Sequence, residues 1–292
     1  MQMRVMLVVQ AAVLASIALM TLYAEPRILV HGHRGARAMR PENTLPAFEY
    51  AIAHGVDVLE LDMAVTQDGV VVISHDPHLN RTICQGPDGG ETAIHKLTFV
   101  QVRQWDCGAL KNPAFPKQQP APGTKMPTLE EVFDLAAASN VQFNIETKID
   151  PKTQDLAPDP ATFARLVVDL VRKHGMERRV IVQSFDFRTL KEVRKIAPDI
   201  RLSALYSGTP RSFVEISKEA GVGGRSVEIV SPLFSLVTPE EVKAAHAAGV
   251  QVIPWTANTP AAWRMLADAG ADAIISDDPA ELIAWLKSAG LR

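Results

Sequence analysis

The sequence predicts an α/β fold: a (β/α)₈ TIM barrel with an insertion after its second strand. Three observations carry this expectation. From residue 27 onward, short β-rich runs alternate with helical patterns. The alternation gives eight βα units in roughly 265 residues, the count and length of a closed barrel. Helix boundaries are marked chemically, with Thr238-Pro239 at a start and Gly249 and Gly270 just past two ends. A doubly wound open sheet is the alternative, but it usually has fewer strands and a glycine-rich dinucleotide turn, and the chain carries no such turn.

The elements follow in order. Val5 to Leu22 is almost wholly apolar, preceded by Arg4 and followed by Tyr23-Ala24-Glu25-Pro26. Residues 1–24 therefore read as a secretory signal peptide cleaved after Ala24 or, because the run approaches the ~20 residues of a membrane span, as an uncleaved anchor helix. Either reading sends residues 25–292 out of the cytoplasm: periplasmic or secreted if cleaved, membrane-anchored and facing the exterior if not. Strands are expected at Ile28–His31, Val58–Val65, Val141–Lys148, Val180–Ser184, Ile200–Leu205, Val227–Val230, Val250–Trp255 and Ala273–Ser276. Helices are expected at Thr44–His54, Leu129–Ala138, Pro160–His174, Phe187–Ile196, Ser212–Ala220, Pro239–Ala248, Pro260–Ala269 and Pro279–Ser288.

One segment breaks the alternation. Asp68-Gly69 lies between two apolar runs, a strong hairpin signal, and Val70 to His75 is its returning strand. About residues 76–127 then form a long proline-rich insertion with a short helical piece, Val100–Trp105. Loops of this length are usually functional or disordered. Both cysteines, Cys84 and Cys107, fall inside it. In an exported chain a disulfide is favoured over two free thiols, and it would order the insertion as a cap beside the site.

Composition narrows the function. The chain has 292 residues, 47% of them hydrophobic, and a net charge of −3, so it offers no basic footprint for nucleic acid. The loop His31-Gly32-His33-Arg34-Gly35-Ala36-Arg37 joins a strand to a helix and continues into Pro41-Glu42-Asn43-Thr44. Imidazole moves protons near neutral pH and guanidinium grips phosphate, so this loop reads as an anionic-substrate site. In Val58–Val65, the period of two puts Glu60 and Asp62 on one face with Leu61 on the other. In Val141–Lys148, Asn144, Glu146 and Lys148 share a face in the same way. Three carboxylates embedded among Val, Leu and Ile need a counter-charge, and an oxygen-only set suits one hard divalent cation, Mg²⁺ or Ca²⁺. With Asp68 and Gly69 as a two-residue loop, the hairpin register brings His75 opposite Asp62, beside those carboxylates. His31 reads as a core residue or a support behind the site, and neither it nor His54, His78, His95, His174 or His246 is expected to be catalytic.

Taken together, His33-Arg34-Gly35, Pro41 to Thr44, Glu60-Leu61-Asp62, Thr66 to Gly69 and His75-Asp76 resemble the glycerophosphodiester phosphodiesterase family. Glu146, Lys148, Trp255 to Asn258 and Asp272 to Pro279 extend the resemblance across nearly the whole chain after residue 26. The resemblance implies a metal-dependent phosphodiesterase on a TIM barrel, with the cation held by Glu60, Asp62 and Glu146. It implies that His33 and His75 are general acid and base, and that Arg34, Lys148 and Trp255 bind substrate. The expected substrates are small glycerophosphodiesters such as glycerophosphocholine or glycerophosphoethanolamine, cleaved to sn-glycerol 3-phosphate and an alcohol. Two other readings stand beside it. One is a lysophospholipase D or sphingomyelinase-D-like enzyme on the same barrel, and the other an anchored binding protein without catalysis.

Overall fold

The structure is a computed structural model that describes residues 27–153 and 155–292; the expected signal or anchor segment, residues 1–24, lies outside the described residues. The chain begins with β1 (Leu29–Gly32), α1 (Leu45–Ala53), β2 (Val58–Val65) and the hairpin strand β3 (Val71–Ile73). The insertion follows, with one short helix, α2 (Phe99–Val102), and then α3 (Leu129–Leu135). The remaining alternation is β4 (Gln142–Thr147), α4 (Pro160–Lys173), β5 (Val180–Ser184), α5 (Phe187–Ile196), β6 (Arg201–Tyr206) and α6 (Phe213–Ala220). It ends with β7 (Ile229–Pro232), α7 (Pro239–Ala247), β8 (Gln251–Val252), α8 (Pro260–Asp268), β9 (Ala273–Ser276) and α9 (Pro279–Ser288).

Apart from β3, the strands run parallel in the order β8-β7-β6-β5-β4-β2-β1-β9. The last seam closes through the main chain, where Asp272 N–H donates to Val252 O and Ile275 N–H to Pro254 O, each at 3.0 Å. The predicted eight-unit barrel is therefore the fold. Its helices start where the sequence marks them. Asp159, Thr238, Thr259 and Asp278 each precede a proline at the first helical turn and accept a backbone N–H with the side chain.

Strand alternation divides the barrel into an outer and an inner layer. Leu59, Leu61, Phe143, Ile145 and Val182 are buried in the cluster that joins strands to helices. Inside the barrel, Ile181, Ile229, Ile253, Ala273 and Ile275 pack with Leu29 as an apolar floor. One step farther along the same strands, the inward positions turn polar: His31, Asn144, Gln183, Ser203 and Ser231 are fully buried or nearly so. One step beyond that, at the C-terminal ends of the strands, stand the charged residues.

The insertion has its own small core of Leu79, Ile94, Leu97, Val102, Trp105 and Met126, packed on Ala64 and Val72 of the hairpin. Cys84 and Cys107 form a disulfide within it. The hairpin differs from the expected one by a single residue. Met63 pairs with Ile73 and Val65 with Val71, so the loop has three residues, Gln67 to Gly69, and Thr66 faces Val70. Thr66 Oγ1 donates to Asp68 Oδ1 (2.6 Å) and accepts Val70 N–H (3.0 Å), contacts that stabilise the longer turn. In this register Ser74, not His75, comes opposite Asp62, and Ser74 N–H donates to Asp62 O at 2.9 Å. His75 reaches the site because the chain leaves the sheet after Ile73.

Candidate active site

The loop after β1 is shaped by backbone demands before it carries any chemistry. Gly35 has φ of 84°, and a Cβ there would lie 2.8 Å from Ala47 Cβ, so the turn needs glycine. Arg34 and Asn43 also adopt positive φ, 49° and 56°, and Asn43 N–H donates to Arg34 O. Asn43 then gives its amide to Asp62 Oδ2 at 2.9 Å, locking the loop to β2. Glu42 lies between two guanidinium groups, accepting from Arg34 Nη1 at 2.6 Å and facing Arg37 Nη2 at 2.9 Å.

Glu60, Asp62 and Glu146 present one oxygen each within 4.8 Å of one another, and all three residues are buried. β2 pairs with β4 so that Asp62 lies beside Glu146, while Glu60 starts one inward position lower, beside Asn144, and reaches up to meet them. Glu60 is held by Arg34 N–H (2.9 Å) and Gln183 Nε2 (2.8 Å). Burial first, and then Asp62, push the Glu60 carboxyl well above its ordinary range. Burial pushes Glu146 up to about 8, with Asp62 adding to the shift against Lys148. Asp62 goes the other way. Burial opposes its charge, but Arg34, Lys148, His75 and the Asn43 amide hold it well below the usual range. Three buried carboxyls that resist charging together, with only hard oxygen donors converging, fit a divalent cation. Lys148 Nζ stands at the rim, 3.0 Å from Glu146 Oε1 and 3.9 Å from Asp62 Oδ1. Arg34 Nε is 3.3 Å from Asp62 Oδ2, and Asp62 and Glu42 keep the guanidinium firmly charged despite burial.

The two histidines flank this cluster. His33 Nδ1 is hydrogen-bonded to Asp277 Oδ1, and its Nε2 lies 4.0 Å from Glu60 Oε2. Asp277 is itself fixed by Asn258, which donates to its Oδ2 (2.7 Å) and accepts its backbone N–H (2.9 Å). Burial lowers the His33 pKa, although Asp277 pulls the other way. His75 Nδ1 meets Asp76 Oδ1 at 2.8 Å. That bond, aided by Asn80, holds the Asp76 carboxyl down to about 2 against partial burial. The His75 side chain is 35% exposed, against 11% for His33.

A cavity of about 210 Å³ is lined by His33, Arg34, Glu60, Asp62, His75, Glu146, Lys148 and Trp255, so all eight predicted catalytic, metal and substrate residues border one space. Trp255 is anchored by Nε1 donating to Ser231 O and by an edge contact with Phe185 at 5.4 Å. A wider groove of about 890 Å³ shares His75, Glu146, Lys148, Phe185 and Leu205 with it and continues along Ile149, Leu156, Phe187 and Tyr206. His33 and Arg34 border only the smaller space.

Sequence reasoning passed over Asp277, Asn258, Gln183 and Glu42 as individual site residues. Asp277 lies one residue past β9, where a barrel strand ends on the catalytic face, and that position and its place within Asp272 to Pro279 were its signals. The remaining histidines have structural partners: His54 bonds Tyr50 O, His174 faces Glu130 and His246 faces Asp272.

A model of the glycerophosphoryl diester phosphodiesterase family matches residues 33–281. A glycerophosphodiester phosphodiesterase of Caldanaerobacter subterraneus subsp. tengcongensis is 30% identical over 266 residues, covering 90% of this chain and all of that one. Among solved structures, a candidate glycerophosphoryl diester phosphodiesterase from Silicibacter pomeroyi superimposes with a TM-score of 0.82 at 33% identity, over 91% of this chain and 95% of that one. The fold is also that of an Oleispira antarctica phosphodiesterase solved with the product sn-glycerol-3-phosphate (TM-score 0.75, 24% identity, 89% and 97% covered).

Proposed function

We propose that this chain, which belongs to the glycerophosphoryl diester phosphodiesterase family, hydrolyses glycerophosphodiesters to sn-glycerol 3-phosphate and an alcohol. The observation that carries this reading is the cavity itself, where two histidines, three carboxyls, Arg34 and Lys148 border one space.

The diester carries one negative charge, and more gathers on its oxygens as the ester bond breaks. Arg34 and Lys148 offer positive charge to those oxygens. A divalent cation, Ca²⁺ or Mg²⁺, held by Glu60, Asp62 and Glu146 would supply further charge at the same point when bound. Asp277 accepts a hydrogen bond from the Nδ1–H of His33, which keeps the proton on Nδ1 and the lone pair on Nε2, and burial favours the neutral ring. His33 is thereby suited to take the proton of the attacking hydroxyl. His75 borders both the cavity and the wide groove, so it stands where a leaving alcohol would depart and is suited to give that alcohol a proton. Trp255 would close the wall against the glycerol.

The Cys84–Cys107 disulfide supports export, since disulfides persist in oxidising compartments. We place the enzyme in the periplasm or outside the cell on that ground. One observation favours a second reading, lysophospholipase D action: the groove beyond His75 has an apolar wall of Ile149, Leu156, Phe185 and Phe187, with Phe185 43% exposed.

Product analysis tests both readings. With Ca²⁺ or Mg²⁺, glycerophosphocholine should yield sn-glycerol 3-phosphate and choline. Release of glycerol and phosphocholine would contradict the cleavage site, and faster turnover of a one-chain lysophosphatidylcholine would favour the second reading.

A further inference from the structure

The insertion touches both histidine-bearing segments, and it does so through two buried or half-buried amides. On one side, Asn80 Nδ2 donates to Asp76 Oδ2 at 2.8 Å, while Asp76 Oδ1 holds His75 Nδ1. Asn80 is fixed in turn. Its Oδ1 accepts Thr82 N–H at 2.9 Å, and its backbone carbonyl accepts the N–H of Ile83 and of Cys84 at 3.0 and 2.8 Å. On the other side, Gln118 is only 3% exposed although it lies in an irregular proline-rich stretch. Its Nε2 donates to Arg37 O at 2.7 Å and Arg40 O at 3.1 Å, and its Oε1 accepts Asn112 N–H at 2.8 Å. Gln118 therefore grips the main chain of the turn that begins at His33, where Arg37 N–H donates to His33 O.

The two grips belong to one frame. Cys84 follows the Asn80 turn directly, and its disulfide partner Cys107 donates its N–H to Thr124 O. Beside the disulfide, Gln85 and Asp106 exchange both backbone hydrogen bonds at 2.7 Å. The Asp106 carboxylate then accepts the N–H groups of Gly108, Ala109 and Gly123, which closes the loop that carries Gln118. No barrel element supplies these contacts, so the insertion is built to reach from one histidine to the other.

We propose that Asn80 and Gln118 are positioning residues for the reaction: Asn80 orients His75 through the Asp76 carboxylate, Gln118 fixes the backbone that carries His33, and the disulfide holds both arms to one frame. This rests on the diesterase reading above. Neither residue lines the cavity or the groove. Each acts by narrowing the positions a histidine ring can take, and an ångström of misplacement is enough to slow a reaction substantially.

Two isosteric substitutions separate positioning from folding. Asn80→Asp keeps the acceptor for Thr82 and removes the donor to Asp76, while Gln118→Glu keeps the acceptor for Asn112 and removes the donor to Arg37 and Arg40. Each variant should lower kcat on glycerophosphocholine about tenfold, the worth of one hydrogen bond to a charge at Asn80 or of two neutral ones at Gln118, with KM within about twofold of wild type. Imidazole ¹⁵N spectra of the folded protein should show the His75 signals moving in Asn80→Asp and the His33 signals moving in Gln118→Glu. Unmoved histidine signals, or an unchanged kcat, would overturn the proposal. If the wild-type protein leaves the diester intact, the diesterase reading fails, while the nitrogen spectra still decide whether these amides orient the rings.

Discussion

His33 and His75 face the same carboxyl cluster, yet the molecule holds them by different means. His33 sits on a barrel strand end, almost wholly enclosed, with its ring fixed by Asp277 from the last strand and Asp277 fixed by Asn258. His75 lies just past the hairpin, a third exposed, oriented by its own neighbour Asp76 and, through Asn80, by the insertion. The His33 ring is set by the barrel's closure, with Gln118 of the insertion holding the turn behind it, whereas the His75 ring is set by the insertion alone. Groups on a packed scaffold draw on many supports, whereas groups on excursions depend on a few local ties. The difference also separates the chemistry: an enclosed, neutral ring suits proton acceptance, and a ring open to the groove suits proton delivery to a departing alcohol.

This contrast can be broken or sharpened by experiment. The largest effect should come from what the two sides share. Chelation with EDTA, or Glu146→Ala, should reduce turnover by about 10³-fold or more, with activity restored by Ca²⁺ or Mg²⁺ only in the chelated wild type. Full activity in EDTA would remove the cation from the account. The two orienting carboxylates should then differ. Asp277→Asn should cost about 10²-fold in kcat, because the enclosed His33 ring has no other carboxylate on Nδ1. Asp76→Asn should cost about tenfold, since the exposed His75 can still be served by water. Steady-state kinetics that reversed this order would show that burial is not what makes the first side dependent on its partner.

A third histidine sharpens the point through stability. His31 lies one inward position below His33, fully buried, with Nδ1 3.4 Å from Asn144 Nδ2 and no partner on Nε2 among the described residues. Burial lowers its pKa to about 3. The unfolded chain, with a histidine near 6.5, takes up a proton at a pH where the native protein does not, so stability falls as pH drops from 6.5 toward 3. At pH 5 the loss amounts to about 2 kcal/mol relative to neutral pH. Denaturant unfolding of His31→Gln should show a shallower decline over that range, and an equally steep one would assign the acid sensitivity to other groups.

Much of this arrangement was legible in the sequence, for physical reasons. Strand period two marked Glu60, Asp62, Glu146 and Lys148 as sharing an inward face, and proline after Asp or Thr marked four helix starts. Several boundaries match to the residue, including Val58–Val65, Val180–Ser184 and Phe187–Ile196. The strand expected at Val250–Trp255 is only Gln251–Val252, although the N–H groups of Ile253 and Trp255 still donate to Val230 O and Pro232 O of β7 and Pro254 O accepts from Ile275 across the seam. What was illegible is long-range. Asp277 meets His33 across 244 residues, and Gln118 meets Arg37 across 81, and no periodicity encodes either contact. The hairpin teaches a subtler lesson. His75 was expected beside Asp62 through a two-residue loop, whereas the loop has three residues and the chain turns in after the strand ends. The destination was right and the route was not, since the Thr66 side chain stabilises a turn that the Asp-Gly signal alone does not specify.

On the reading proposed above, His33 and His75 act together on one diester across a cation held by Glu60, Asp62 and Glu146. Turnover of glycerophosphocholine by His33→Ala and His75→Ala, with metal affinity measured by titration calorimetry on the same samples, tests it most directly. Each variant should lose about 10³-fold in kcat while binding Ca²⁺ or Mg²⁺ as wild type does. Undiminished turnover in either variant would contradict the account.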